Sequence, residues 1–261
     1  MKLLIKLGGT LLDSEESRSS IARQLSDSAQ DHRVVVVHGG GKRLSRYLAA
    51  QGISSTFIRG FRVTTPETLD AVIKVLAGEV NLELVAALQH SGIRAVGLTG
   101  VDAGLVEAAP LSEELGAVGA VQRVHPELLD LLTAQGYLPV VACLAGGARG
   151  EVYNVNADQM AVACAVHFKA ERLIFLTDVE GVLDAERKLI PELTADQADE
   201  LIHRGVASGG MEAKLRACCS AVRQGVAEVR IANGNPAGAL RRVLAGSPLG
   251  TSVCAASVAA S

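Results

Sequence analysis

The sequence has no tryptophan, and aromatic residues make up only 3% of it. A core without large rings has to be filled by Val, Leu, Ile and Ala, and 49% of the 261 residues are hydrophobic. That is the composition of buried parallel strands covered by helices, and it disfavours an all-β sandwich. Basic blocks are missing as well: nowhere do Lys and Arg residues cluster, and the net charge is −3. The footprint of a nucleic-acid or membrane-surface binder is therefore absent, which leaves small molecules or a second copy of the chain as partners. No run of about 18 apolar residues occurs, so no transmembrane helix is expected, and the apolar start Met1 to Leu7 is too short for a signal peptide. The five cysteines, Cys143, Cys164, Cys218, Cys219 and Cys254, are odd in number and lack C-x-x-C spacing. They read as reduced, mostly buried thiols of a cytoplasmic protein. Pro- or Ser-rich linkers and internal repeats are absent too, so the chain reads as a single domain.

What is present is a regular alternation. Leu3 to Leu7, Val34 to Val37, Ala95 to Leu98, Leu138 to Ala142, Leu173 to Leu176 and Val229 to Ala232 read as strands. Ser17 to Ser28, Lys42 to Gln51, Pro66 to His90, Pro126 to Gln135, Ala157 to Val166, Ala195 to His203, Met211 to Gln224 and Pro236 to Leu244 read as helices. Strand alternating with helix implies an α/β fold with a mostly parallel sheet and right-handed crossovers. Leu105 to Val124 reads instead as a small antiparallel hairpin system outside that sheet. Two lobes of one continuous sheet are expected, with a soft boundary near His167 to Glu171, and residues 255–261 should fray.

The stretch Val34 to Lys42, VVVVHGGGK, runs from a buried strand into three glycines. As the oxyanion loop of an esterase it would need a G-x-S-x-G elbow, and Ala207-Ser208-Gly209 and Gly246-Ser247-Pro248 lack that spacing. A P-loop fails because Lys42 is followed by Arg43 and because Val36 stands where the first glycine belongs; G-x-G-x-x-G fails at Leu44. What survives is a turn whose backbone N–H groups and helix N-terminus converge on an anion, against the alternative of a tight turn with no ligand. A second lysine-and-glycine turn, Lys6-Leu7-Gly8-Gly9-Thr10, ends the first strand. Parallel sheets bind ligands at that edge, where strand order switches.

Four further segments carry polar residues. Arg62, in a loop before a helix, has donors suited to a carboxylate, or is a solvated surface residue. Asn154, Asn156 and Asp158 fall where a helix begins; Asn156 as an N-cap and Asp158 in the first turn explain themselves, whereas Asn154 does not. Thr177-Asp178-Val179-Glu180-Gly181-Val182-Leu183 follows a strand end in the form of a nucleotide-binding edge. Ser208-Gly209-Gly210 precedes a helix with Lys214 read into its first turn, where a cation opposes the helix dipole unless an anion meets it. Glycine turns plus Lys6 and Lys214 are what phosphoryl transfer needs, since its catalysis is mostly positioning and charge stabilisation.

Together these segments resemble the amino-acid kinases, and within them the N-acetylglutamate kinases. The likeness runs from Lys2 to Val253 through IKLGG, VVVHGGG, GFRVT, GLTGVD, ELGAVG, GYLPVV, YNVNADQ, LTDVEGVLD and SGGMEAK, in the family's order. It implies an αβα sandwich with an acceptor-binding lobe at about 1–170 and an ATP-binding lobe at about 171–254. It implies ATP-dependent phosphorylation of the γ-carboxylate of N-acetyl-L-glutamate in arginine biosynthesis. Lys6 and Lys214 would stabilise the transferring group, with Asp158 holding both. Gly8, Gly9, Gly40 and Gly41 would donate backbone N–H groups, and Arg62 would grip the α-carboxylate with Asn154 nearby. Thr177 to Leu183 and Val206, Ala207 and Ser208 would line the ATP site. Mg²⁺ would ride on phosphate oxygens and water, with no protein metal site. Three departures stand out. Gly146 to Glu151 replaces a variable hairpin on the acceptor side, so a related acceptor such as an α-aminoadipate derivative, or an inactive sensor, stays open. Ala232-Asn233-Gly234-Asn235 replaces a more usual Asp-Gly-Arg. The chain starts at its first strand without the N-terminal helix of the hexameric, arginine-inhibited branch, which implies a homodimer without arginine inhibition.

Overall fold

In a computed structural model, which describes residues 1–29 and 31–255, strands and helices stack in three layers. The strands are β1 Lys2–Leu7, β2 Arg33–His38, β3 Phe57–Ile58, β4 Phe61–Arg62, β5 Ala95–Thr99, β6 Val106–Pro110 and β7 Val118–Val124. They continue as β8 Leu138–Ala142, β9 Leu144–Gly146, β10 Val152–Val155, β11 Arg172–Thr177, β12 Glu192–Thr194, β13 Glu228–Asn233 and β14 Thr251–Cys254. The helices are α1 Glu15–Ala29, α2 Gly41–Ala50, α3 Pro66–Val72, α4 Asn81–His90, α5 Glu127–Ala134, α6 Ala157–Phe168, α7 Ala195–His203, α8 Gly209–Arg223 and α9 Ala239–Leu244. Residues 256–261, in the expected frayed tail, lie outside the described residues.

Eight strands form one sheet in the order β12-β14-β13-β11-β1-β2-β8-β5, parallel except for the β13–β14 pair. β1 lies in its middle because both of its faces are apolar. Leu3, Ile5 and Leu7 join the core beneath α1, α4 and α9, and Leu4 joins the core beneath α6 and α8. Each of these fully buried side chains contributes roughly 2 kcal/mol of transfer free energy. Period-two alternation puts Lys6 on the Leu4 face, toward α6. The register aligns Leu7 with His38 of β2 and Leu176 of β11, so both glycine turns and Thr177 leave the sheet at one edge, where strand order switches.

The expected αβα sandwich with a mostly parallel sheet is what the structure shows. The hairpin expected at Leu105 to Val124 is the antiparallel β6–β7 pair, but β9 and β10 join it to close a four-stranded barrel. The helix read over Pro66 to His90 contains a π-helical segment, Ile73–Val80, between α3 and α4. The hairpin β3–β4 and the short strands β12 and β14 had no periodic signal long enough to find.

Candidate active site

Asn156 caps α6: its Oδ1 accepts from the N–H groups of Asp158 at 2.9 Å and Gln159 at 3.1 Å. The cap seats Asp158 in the first turn, where the helix dipole favours a carboxylate. Lys6 Nζ lies 2.7 Å from Asp158 Oδ1, an ion pair without the alignment of a hydrogen bond. Lys214 Nζ donates to Oδ2 from α8 at 3.2 Å. The three side chains are nearly buried, at 10%, 12% and 13% exposure for Lys6, Lys214 and Asp158. Burial alone pushes the Asp158 carboxyl up, but the close charges of Lys6 and Lys214 and the Lys214 hydrogen bond outweigh it and hold it below its ordinary pKa. Burial first, and the Lys6 charge second, pull Lys214 below its ordinary value against the attraction of Asp158. The trio sums to one positive charge in a site of low permittivity, a match for a phosphoryl group. One correction concerns Lys214: α8 begins at Gly209, so this lysine stands in the second turn rather than the first. Packing of α8 on α6, not the helix end, fixes it.

The glycine turns do different jobs. A Cβ on Gly40 would lie 2.5 Å from Leu76 Cδ2 of the π-helical segment, so any larger residue here has to displace the Leu76 side chain. Among the described residues, none accepts from the backbone N–H groups of Gly40 or Gly41. The Gly8 N–H, expected to meet a phosphoryl group, donates instead to Leu176 O at 2.8 Å. That corrects its role: Gly8 lets the ends of β1 and β11 approach closely. Gly9 opens the 3-10 turn Gly9–Leu12. His38 is fully buried, and burial chiefly, with the Lys6 charge opposing a hydrogen bond to Gly39, lowers its pKa to about 4. It is neutral at physiological pH.

Arg62 is buried rather than solvated. Its Nη2 donates to Ser45 Oγ at 2.7 Å and to Gly41 O at 3.4 Å, its Nη1 donates to Ser55 Oγ, and it stacks on the Phe57 ring. All of these partners are uncharged, so a cation is held beside the glycine turn without a described carboxylate. Asn154 joins this group through Thr64: its Nδ2 donates to Thr64 Oγ1 at 3.1 Å, and Thr64 donates to Arg62 O at 2.9 Å. Arg62 and Gly41 line a cavity of about 650 Å³ together with Thr10, Asp13, Lys42, Ser45, Arg46 and Asp178. Thr10, Asp13, Lys42, Ser45 and Arg46 were missed, although Ser45 and Arg46 fall one helical turn after Gly41 and Lys42, on the same face. Burial pushes the Asp178 carboxyl up, but the nearby Thr10 hydroxyl, its own backbone N–H, the Thr177 hydroxyl that donates to it at 3.2 Å and the Lys42 charge outweigh that, and it ends lowered.

Along the β11 edge, the Val182 N–H is bonded to Thr251 Oγ1 at 2.8 Å, and Val182 and Ala207 turn into the core. Val179 and Leu183 are exposed. Val206 and Ala207 donate their N–H groups to Leu201 O, and Ser208 caps α8 by position without a side-chain bond. The departure at Ala232 to Asn235 has a local reason: Asn233 Nδ2 donates to Glu180 Oε1 at 2.7 Å and the Gly234 N–H donates to Thr177 O at 2.9 Å. Among the described residues, no three His, Cys, Asp or Glu side chains cluster as metal ligands, and no helix is long and apolar enough to cross a membrane.

Two nearly buried lysines bridged by one aspartate, beside glycine turns at the switch point of an αβα sandwich, concentrate positive charge of the kind that suits a phosphoryl group. The pattern of the amino acid kinase family matches residues 1–233, and the chain belongs to that family. The acetylglutamate kinase of Solibacter usitatus is 58% identical over 98% of this chain and 100% of that protein. That of Koribacter versatilis is 44% identical over 92% and 93%. Among solved structures, N-acetylglutamate synthase of Neisseria gonorrhoeae complexed with coenzyme A and N-acetyl-glutamate overlays with a TM-score of 0.88 at 26% identity, over 97% of this chain and 59% of that one. Carbamate kinase of Giardia lamblia bound to AMP-PNP, at 16% identity and a TM-score of 0.71 over 97% and 98%, shares the fold. The chain is a kinase, with ATP as co-substrate.

Proposed function

We propose that the chain transfers the γ-phosphoryl group of ATP to the γ-carboxylate of N-acetyl-L-glutamate, the second step of arginine biosynthesis. A carboxylate oxygen attacks the γ-phosphorus, the bond to the β–γ bridging oxygen breaks, and N-acetyl-L-glutamyl 5-phosphate and ADP leave. The observation that carries this reading is the lysine pair tied by Asp158, and the names of the near relatives supply the acceptor. The acceptor is already ionised at neutral pH, so no general base is required, in keeping with a buried His38 of lowered pKa. Lys6 and Lys214 neutralise the spreading charge, and Asp158 offsets their mutual repulsion and keeps them aimed. Gly40 and Gly41 present N–H groups at the reacting end, while Arg62 and Asn154 hold the α-carboxylate end. Thr177 to Leu183 and Val206 to Ser208 border the nucleotide, with residues of about 1–170 serving the acceptor and 171–254 serving ATP. Asp178, ionised at the cavity wall, has the hard oxygen chemistry that fits Mg²⁺ borne by the phosphates, and the ion would screen phosphate charge. We further propose a cytoplasmic homodimer, testable by light scattering.

The test is ADP release with Mg·ATP and a panel of N-acetylglutamate, glutamate, aspartate, carbamate, an α-aminoadipate derivative and UMP, with hydroxylamine trapping the acyl phosphate. Turnover confined to N-acetylglutamate is expected. Turnover of another acceptor reassigns the substrate, and silence across the panel overturns the reading.

A further inference from the structure

His38 ends β2 immediately before the glycine turn, and every polar atom of its ring has a defined partner. Nδ1 lies 2.9 Å from Gly39 O, and Nε2 lies 3.0 Å from Asn81 Nδ2. A carbonyl can only accept, so the ring proton belongs on Nδ1, and the bare Nε2 accepts from the amide. Asn81 spends its second amide hydrogen on Val140 O at 2.9 Å, which leaves it no choice of orientation. The fit is close: a Cβ on Gly97 would lie 2.2 Å from Asn81 Oδ1. Asn81 opens α4 at the end of the π-helical segment that packs on Gly40, so both contacts to the turn come from one piece of chain.

The consequence lies in the Gly39–Gly40 peptide, which is trans. In a trans peptide the C=O and N–H leave the plane's two edges in opposite directions. Holding Gly39 O toward His38, on the core side, therefore sends the Gly40 N–H the other way. We propose that His38 is a positioning residue for phosphoryl transfer: its Nδ1–H pins the Gly39 carbonyl and so aims the Gly40 N–H at the reacting group. The lowered pKa of His38 supports this, since an imidazolium would turn an Nε2–H against the amide hydrogens of Asn81. The inference rests on the proposed function only in taking Gly40 to face the reacting group.

Two variants separate aiming from space-filling. In His38→Asn the amide nitrogen takes the place of Nδ1 and can keep the Gly39 bond; in His38→Gln the amide oxygen takes the place of Nε2 and keeps only the Asn81 bond. Aiming predicts that His38→Asn retains kcat within about threefold. It predicts that His38→Gln loses about 10²-fold in kcat, the scale of a lost oxyanion-type donor, with the KM for ATP unchanged. Packing alone predicts the reverse order, because Gln fills more of the site. Equal losses, or the larger loss in His38→Asn, overturn the proposal. A second readout needs no substrate and no variant turnover: the ring-nitrogen spectrum of protein labelled with ¹⁵N-histidine, the His38 signal identified by its loss in His38→Gln. A neutral ring protonated on Nδ1 at neutral pH is expected, and protonation on Nε2 overturns the proposal. If the wild type phosphorylates a different acceptor of the panel, the substrate reading falls alone and the variants are compared on that acceptor.

Discussion

Replacing Asp158 by Asn keeps the shape of the first turn of α6 and removes one negative charge from between ammonium groups 2.7 and 3.2 Å away. At an effective permittivity of about 20, each contact amounts to about 5–6 kcal/mol of Coulomb energy. Most of that is offset by the hydration the carboxylate recovers on unfolding, and breaking a buried pair of this kind leaves a net loss of about 3–5 kcal/mol. Little of each side chain is exposed, so solvent screens the effect weakly. We expect urea unfolding at neutral pH to show that loss as a lower midpoint with an unchanged slope. The sign with pH follows from the lowered carboxyl. A folded pKa below the unfolded value means that the stabilisation is present above about pH 4 and is lost as pH falls through the folded value. The gap between wild type and variant should therefore close in acid. Turnover should fall by about 10²-fold or more, because two unbridged ammonium groups repel and lose their aim. A variant within about 1 kcal/mol of the wild type at neutral pH, the range of an exposed ion pair, would refute the reasoning.

Lys214→Met leaves Lys6 and Asp158 as a balanced pair, so unfolding stability should hold or rise while kcat drops by about 10²–10³-fold; a matching loss of stability contradicts this. Arg62→Ala should raise the acceptor KM by about 10–10²-fold, the equivalent of hydrogen bonds to a charged group, with a smaller change in kcat. An untouched KM would remove Arg62 from the acceptor site. Gly40→Ala should lower stability by about 1–2 kcal/mol through overpacking against Leu76 Cδ2. A double-mutant cycle with Leu76→Val should recover much of that, and additive losses would place the strain elsewhere.

The core strands were legible because each is a short, nearly unbroken aliphatic run, and buried parallel strands have no polar face to obscure them. The nearness of Lys6, Asp158 and Lys214 was readable from strand-end and helix-start signals combined with the family likeness, since each lies beside a glycine or a cap. Less visible were features set by partners distant in sequence. Nothing near Gly8 announces that Leu176 takes its N–H, because that bond exists only once β11 lies beside β1. β9 and β10 span three and four residues, too few for alternation to register, so the closed barrel could not be seen in the hairpin alone. Lys42 stood in the sequence only as the start of a helix, yet it faces the same cavity as Arg62 and Asp178, a juxtaposition that only the packing of α2 on the 3-10 turn creates.

The single carboxylate shared by two ammonium groups is also a thermodynamic compromise. A second acid beside Lys214 would balance the charge and make the fold more stable, and it would equally make the pocket indifferent to phosphate. By leaving one cation half-satisfied among largely buried side chains, the proposed site gives up folding stability that an arriving anion would restore. Saturation with nucleotide should therefore raise the melting temperature of this protein more than that of a charge-balanced variant, so that binding completes what folding leaves undone.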